Sequence, residues 1–211
     1  HSMPLPPGHI AAIHAVRRRR EAAKASRPKP SGAVGGDRAE HVSSSDKRQG
    51  ALRKVFKKYD TNNTGKLEED QIRNLLTDMD DTTPVGTEPT EEELAFILKV
   101  ADASGDGCLH FYEVEYALRA WAVYTKRRQQ MEDKLIEFDK SGTGTLSWEE
   151  LRTLLVDLNN GSPVDSMEVD WVMAEADIFG DGQIHKTELV MAIAAWYSHV
   201  EKKQNSKMCT I

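Results

Sequence analysis

The segment DASGDGCLHFYE, residues 102–113, decides the fold of this 211-residue chain. It begins with Asp, carries Gly at its sixth position and Leu at its eighth, and ends with Glu. Three other segments share the leading Asp, the Gly and the apolar eighth residue: DTNNTGKLEEDQ (60–71), DKSGTGTLSWEE (139–150) and DIFGDGQIHKTE (177–188). The four segments begin 42, 37 and 38 residues apart. Such a recurrence predicts a repeated supersecondary unit.

The sequence on both sides of each segment is typical of amphipathic helices. Ahead of residues 102–113, Thr90 and Glu93 form a capping-box sequence in front of apolar residues at helical spacing. A second stripe of this kind begins after the segment, at Val114. Comparable stripes flank the other three segments, and no run alternates convincingly as a strand would. The sequence therefore predicts eight helices in an all-α fold.

Each segment also spaces oxygen-bearing residues as a hard divalent cation requires. Ca²⁺ takes six to eight oxygen ligands at about 2.3–2.6 Å. Positions 1, 3 and 5 of a twelve-residue loop offer side-chain oxygens, position 7 offers its backbone carbonyl, and position 12 closes the shell with a bidentate carboxylate. Gly at position 6 permits the positive φ of a sharp turn. The apolar residue at position 8 points away from the metal and lets two loops pair.

The four loops and their flanking helices resemble the EF-hand family, in an arrangement similar to that of calmodulin. The resemblance covers about residues 46–200 and implies four EF-hands, each a helix-loop-helix unit, paired into two lobes. We number them hands 1 to 4 in chain order. The expected N-terminal lobe is 46–125, the expected C-terminal lobe is 126–200, and a tail follows at 201–211. The resemblance also implies that the bound cofactor is Ca²⁺.

Hands 2 and 3 have complete ligand sets, so we expect both to bind Ca²⁺. Few of the hand 3 oxygens are charged, and this should lower the affinity of that hand without abolishing it. In hand 2, His110 at position 9 would act through water or not at all. The expected ligands are Asp102, Ser104, Asp106, the Cys108 carbonyl and Glu113 in hand 2, and Asp139, Ser141, Thr143, the Thr145 carbonyl and Glu150 in hand 3.

Hands 1 and 4 are compromised in different ways. Hand 1 has Gln71 at position 12, and an amide cannot act as a charged bidentate ligand, so we expect little calcium binding there. Its Leu67 can still pair with Leu109 and hold the N-terminal lobe together. In hand 4, Phe179 at position 3 supplies no oxygen, so we expect at most a weak third site. The remaining hand 4 ligands would be Asp177, Asp181, the Gln183 carbonyl and Glu188.

The chain begins with a basic segment that differs from the rest in composition. Residues 1–50 hold ten Lys or Arg and four Asp or Glu, and because the whole chain carries −6, residues 51–211 carry −12. Frequent Pro and Gly predict a largely flexible basic arm over 1–45, within which 10–24 is compatible with a short amphipathic helix. Three interpretations of the basic segment 10–24, which contains Arg17–Arg20, stay open. The segment is a solvated positive run, an in-chain ligand that resembles a target helix and occupies an acidic lobe, or an attachment point for nucleic acid, anionic lipid or an import receptor.

These features favour a regulatory function for the acidic body of the protein. Metal at position 12 can rotate the exiting helix and expose an apolar groove, so we predict a calcium sensor that binds an amphipathic helix of a protein partner, or of its own arm. The alternatives are a calcium buffer and a calcium-regulatory fragment of a larger enzyme or channel. An acidic body argues against a broad nucleic-acid surface.

The sequence lacks the motifs of several other classes of protein. We find no phosphate-binding Gly loop, no HExxH, no nucleophile elbow and no zinc spacing, and therefore expect no enzyme activity in this chain. No apolar run reaches the length of a membrane span. Two cysteines suit a reducing setting, so we expect a cytoplasmic protein, with a nuclear location also open. The opening His1-Ser2-Met3 is typical of an expression-tag remnant.

Overall fold

The structure of the protein is a computed structural model that describes residues 44–82 and 84–208, with side chains for 48–82 and 84–205. The described chain forms eight α-helices and four two-residue strands, so the predicted helix count is confirmed. The predicted arm, including the possible helix at 10–24, lies outside the described residues except at Ser44 and Ser45, where the first helix begins. The helices are α1 (Ser44–Tyr59), α2 (Glu69–Asp78), α3 (Glu91–Ala101), α4 (Phe111–Thr125), α5 (Arg128–Phe138), α6 (Trp148–Leu158), α7 (Ser166–Ala176) and α8 (Lys186–Met208).

Local sequence explains where the helices start. The capping box predicted ahead of α3 is present, because the Glu93 N–H donates to Thr90 Oγ1 (3.2 Å) and the Thr90 N–H donates to Glu93 Oε2 (3.0 Å). Asp165 and Glu168 form an equivalent pair at the start of α7. Such pairs satisfy N–H groups that have no partner inside the first helical turn.

The short strands join the hands in pairs. They are β1 (Lys66–Leu67), β2 (Leu109–His110), β3 (Thr145–Leu146) and β4 (Ile184–His185). β1 pairs antiparallel with β2, placing Leu67 opposite Leu109, and β3 pairs in the same way with β4. The predicted pairing of Leu67 with Leu109 is confirmed, and so is the arrangement of four hands in two lobes. Strands of two residues are too short for alternation to show in the sequence.

The linker between the lobes is bent. α4 ends at Thr125 and α5 begins at Arg128, and the Arg127 N–H closes the turn by donating to the Tyr124 carbonyl (2.9 Å). The break falls at the start of the polar segment Lys126–Gln130. The predicted lobe limits remain predictions, and α8 continues past residue 200 to Met208.

The bend brings the two lobes into contact. α8 packs against α5 and α7 of its own lobe and also against α3 of the other lobe. Its residues 189–196 are all buried, which a helix achieves only when it has neighbours on every side. Although α8 has 23 residues, no helix in the described ranges combines the length and the apolar character needed to cross a membrane.

Candidate metal centres

In all four loops the carboxylate at position 1 organises the turn by accepting backbone N–H groups. In hand 2, Asp102 Oδ1 accepts from the Gly105 N–H (2.6 Å) and Oδ2 from the Gly107 N–H (2.9 Å). Gly107 stands at position 6 with φ of +76°, the backbone conformation that the sequence predicted for this Gly. The corresponding carboxylates of the other loops are those of Asp60, Asp139 and Asp177.

Hand 2 brings its predicted side-chain oxygens together. Ser104 Oγ lies 3.0 Å from Asp102 Oδ1 and 3.1 Å from Asp106 Oδ1, so positions 1, 3 and 5 face a common point. The Cys108 N–H donates to Asp106 Oδ1 (3.1 Å), which places position 7 directly after this turn. Two groups outside the predicted set also reach Asp106 Oδ2, namely the Lys66 ammonium (3.4 Å) and the His110 ring (3.2 Å).

Hand 3 assembles its oxygens from hydroxyl groups. Ser141 Oγ lies 3.0 Å from Asp139 Oδ1 and 3.2 Å from Thr143 Oγ1. Thr143 Oγ1 in turn donates to the Thr145 carbonyl at 3.1 Å, so positions 1, 3, 5 and 7 form one chain of neighbouring oxygens. The Thr145 hydroxyl also donates to the Gln183 side chain, which connects the loops of hands 3 and 4.

Hand 4 holds its acidic residues in the expected places but fills position 3 with a ring. The Phe179 ring packs edge-on against His185, with centroids 4.9 Å apart, and offers no oxygen. His185 Nε2 lies 2.8 Å from Asp181 Oδ2. The Gln183 N–H donates to Asp181 Oδ1 (3.0 Å), as the equivalent residue does in hand 2. The contacts of the two position-9 histidines with Asp residues were missed from sequence, although their spacing of four residues recurs in both loops.

In hand 1, the side-chain amide of Gln71 bonds across the loop. Gln71 Nε2 donates to Thr61 Oγ1 (3.2 Å) and to Asn62 Oδ1 (3.3 Å), where Asn62 holds position 3. Its Oε1 accepts from the Glu68 N–H (3.1 Å), so the amide preserves the helix cap of a glutamate. A donor therefore points into this loop where the other three loops carry an acceptor.

The position-12 glutamates connect each loop to its exiting helix. Glu113 Oε1 accepts from the N–H groups of Ala103 and Ser104 (both 2.9 Å), while Oε2 accepts from the His110 N–H (2.8 Å). Glu150 and Glu188 accept from equivalent N–H groups of hands 3 and 4. Among residues 48–82 and 84–205, whose side chains the structure describes, no three His, Cys, Asp or Glu side chains lie close enough to hold a metal by themselves. The hydroxyl oxygens of Ser104, Ser141 and Thr143 stand beside the carboxylates of hands 2 and 3.

The pKa values of the position-12 glutamates are shifted in opposite directions in hands 3 and 4. Burial opposes ionisation of Glu150, but hydrogen bonds from Ser147 and Ser141 outweigh it and lower its pKa to about 2. The backbone N–H of Gly144, with further donors in the loop, lowers the pKa of Asp139. In hand 4, by contrast, burial raises the pKa of Glu188, which is 0% exposed, despite three backbone hydrogen bonds. A fully buried carboxylate is costly to ionise without a cation beside it.

Comparison with known proteins agrees with this geometry. The family model of the EF-hand domain pair matches residues 50–119 and 128–193, one pair in each lobe. The chain is a calmodulin-like member of the EF-hand family. The EF-hand pairs thus coincide with the strand pairs β1–β2 and β3–β4. Membership of this family implies calcium binding, and calmodulin-like EF-hand proteins are typically regulators without enzyme activity.

Two of the relatives that resemble this chain are named as calmodulin-like or calcium-binding proteins. Human "Calmodulin-like protein 6" is 30% identical over 140 residues, which cover 64% of this chain and 71% of that protein. The rice protein "Probable calcium-binding protein CML11" is 30% identical over 154 residues, covering 71% of this EF-hand chain and 69% of its relative. "Calglandulin" from Bothrops insularis is 27% identical over 140 residues, which cover 64% of this chain and 83% of that protein.

Proposed function

We propose that this chain is a calcium sensor in which hands 2 and 3 bind Ca²⁺, hand 4 binds it weakly, and the exiting helices then move. The observation that carries this proposal is the double role of the position-12 glutamates. Each belongs both to a loop and to the first turn of the helix that leaves it. A change at the metal is therefore a change in the position of a helix.

The hydrogen bonds of these glutamates support the coupling. Both oxygens of Glu113 accept N–H groups of the loop, and Glu150 does the same through Ser141 and Ser147. A bidentate contact with an ion competes for the same oxygens, so the carboxylate and its helix must shift to make it. Calcium binding then favours the conformations in which the helix has moved.

The apolar residues near the start of these helices are buried. In α4 and α6 they include Val114 and Leu151, both 0% exposed. Rotation of either helix would expose part of this surface, which is how EF-hand sensors present a groove to a partner helix. Because residues 51–211 carry −12, we propose that the partner is a basic amphipathic helix. The protein's own basic arm is one candidate, and a cytoplasmic or nuclear location remains a prediction.

Calorimetric titration of the full chain with Ca²⁺ tests the sites. We expect at least two bound ions, and we expect Glu113→Gln and Glu150→Gln each to abolish one. Glu115→Gln and Glu149→Gln are matched controls, because they remove the same charge close to the same loops without removing a ligand. Failure to take up calcium at millimolar concentration would refute the proposal.

Binding of an apolar dye, together with circular dichroism, tests the sensor function. A sensor should expose apolar surface when calcium is added, so dye fluorescence should rise with the same midpoint as the titration. An unchanged signal at full calcium occupancy would identify a buffer instead. The alternative that the chain is a regulatory fragment is tested by the full-length reading frame.

A further inference from the structure

The first turn of α3 holds the C-terminal lobe at two points. At the first, Glu93 receives the Arg128 guanidinium, with Nε 2.9 Å from Oε1 and Nη2 3.3 Å from Oε2. At the second, the neighbouring Glu92 reaches hand 4, where its Oε1 accepts from the Thr187 hydroxyl (3.0 Å) and lies 3.4 Å from the Thr187 backbone nitrogen. Two adjacent carboxylates of one lobe thus bind two different helices of the other.

The contact with Thr187 places a carboxylate at the start of α8. Thr187 is the second residue of that helix and is fully buried, so its N–H is one of those that no residue inside the helix can accept. A carboxylate at this end of a helix is also favoured by the helix dipole. Glu92 therefore acts as a helix cap supplied by the other lobe. The next residue of α8 is Glu188, the position-12 residue of hand 4.

From these contacts we infer that Glu92, Glu93, Arg128 and Thr187 form an interlobe latch that opposes calcium-driven opening of the C-terminal lobe. The inference rests on the proposed function, because it concerns the movement of α8 when hands 3 and 4 are loaded. α8 is enclosed by α3, α5 and α7, so it cannot rotate without sliding along α3 and leaving Glu92. Calcium binding in the C-terminal lobe and separation of the lobes are therefore linked, and each promotes the other.

The direction in which one substitution shifts the calcium midpoint separates the latch from a simple electrostatic effect. Glu92 Oε2 lies 3.8 Å from His185 Nδ1, at the edge of the hand 4 loop. On charge alone, Glu92→Gln would remove a negative group near a cation site and weaken calcium binding. The latch requires the opposite result, because the neutral amide oxygen of Gln is a weaker acceptor than a carboxylate, and a weaker hold on α8 lowers the cost of opening. Thr187→Val deletes the hydroxyl donor without changing charge and should act in the same direction.

The experiment uses the full chain in the Glu113→Gln background, in which hand 2 is silenced and titration reports the C-terminal lobe. Glu92→Gln should lower the calcium midpoint by about fivefold, equivalent to about 1 kcal/mol, and Thr187→Val by about twofold. Glu91→Gln is the matched control, because Glu91 stands in the same turn but pairs with Arg73 of its own lobe, and its midpoint should not change.

Small-angle X-ray scattering supplies a second measurement that does not depend on affinity. The unsubstituted chain should be compact in chelator and expand when calcium is added. Glu92→Gln should shift part of the population toward the expanded form already in chelator, because the Arg128 contacts remain. A raised or unchanged calcium midpoint for Glu92→Gln would overturn the latch, and so would a scattering curve that calcium does not alter. The proposed sensor function is unaffected by either result if dye binding still responds to calcium. If no calcium binds at all, the proposed function fails, and the scattering of Glu92→Gln in chelator still tests the contact.

Discussion

Replacing Arg128 with Met tests how much the junction between the lobes contributes to stability. The Arg128 guanidinium binds Asp80 Oδ2 (2.8 Å) and both oxygens of Glu93, and it lies over the ring of Trp121 with the centroid 5.2 Å away. The side chains of Asp80 and Glu93 are 0% and 3% exposed, and that of Arg128 is 21% exposed. Met keeps an unbranched apolar stem but leaves two buried carboxylates without their cation.

The size of the effect follows from what each carboxylate retains. Breaking a buried ion pair by removing one partner costs about 3–5 kcal/mol. Asp80 still accepts from the Thr82 N–H and hydroxyl, and Glu93 still accepts from the Tyr124 hydroxyl (2.7 Å). We therefore expect the lower end of this range, about 3 kcal/mol at pH 7. With a urea dependence of about 2 kcal/mol per molar, the unfolding midpoint should fall by about 1.5 M.

Urea unfolding in the presence of a chelator, monitored by circular dichroism, measures this loss of stability without a contribution from bound calcium. The loss should shrink at acid pH. Burial raises the pKa of Asp80, but the Thr82 hydrogen bonds, and after them the Arg128 guanidinium, lower it overall. Without Arg128 that pKa must rise, so the variant can relieve its buried charge by taking up a proton. Arg127→Met is the matched control, because Arg127, the residue before α5, bonds locally to Gln130 in the first turn of that helix, and it should cost less than about 1 kcal/mol.

A triple variant completes the test. Asp80→Asn, Glu93→Gln and Arg128→Met together remove all three charges, and such neutral replacements of buried ion groups are often close to neutral in stability. The triple variant should therefore be more stable than Arg128→Met alone. If the free energy of unfolding of Arg128→Met at pH 7 lies within about 1 kcal/mol of that of the unsubstituted chain, the junction is not held by this network and the reasoning is wrong.

Three further predictions concern hands 1 and 4 and the end of α8. Gln71→Glu should replace the amide donor of hand 1 by a bidentate carboxylate and add one ion in calorimetry, whereas Gln71→Met should add none. Phe179→Asn should supply the missing oxygen and lower the calcium midpoint of hand 4 by about tenfold, and an unchanged midpoint would contradict this account of the weak site. Burial disfavours ionisation of Glu168, but contacts with Lys203 and His199 lower its pKa to about 2. Because the folded pKa lies below the unfolded one, its contribution, at most about 3 kcal/mol, is complete above about pH 4.5 and lost as pH falls toward 2. Glu168→Gln should therefore destabilise the chain at pH 7 but not near pH 2, as urea midpoints at both pH values would show.

The sequence by itself determined the parts of this protein that depend on local chemistry. The twelve-residue spacing fixes which oxygens can meet, since a loop with Asp102 at position 1 and Gly107 at position 6 closes on its own N–H groups. The same locality explains why the capping box of α3 was predictable. The pairing of Leu67 with Leu109 is not local, and it was predictable because the repeated loops resemble EF-hands that pair. The sequence also predicts that Gln71 is a poor ligand, although the contacts of its amide were not foreseen.

Only the tertiary structure decided how the lobes meet. Nothing near Glu92 in the sequence indicates Thr187, which is 95 residues away, and nothing distinguishes Arg128 from the other basic residues of the linker. These partners come together because the chain bends after Thr125 and brings α3 against α8. An ion pair between distant residues has no periodicity or spacing to reveal it, since its geometry is set by the packing of whole helices.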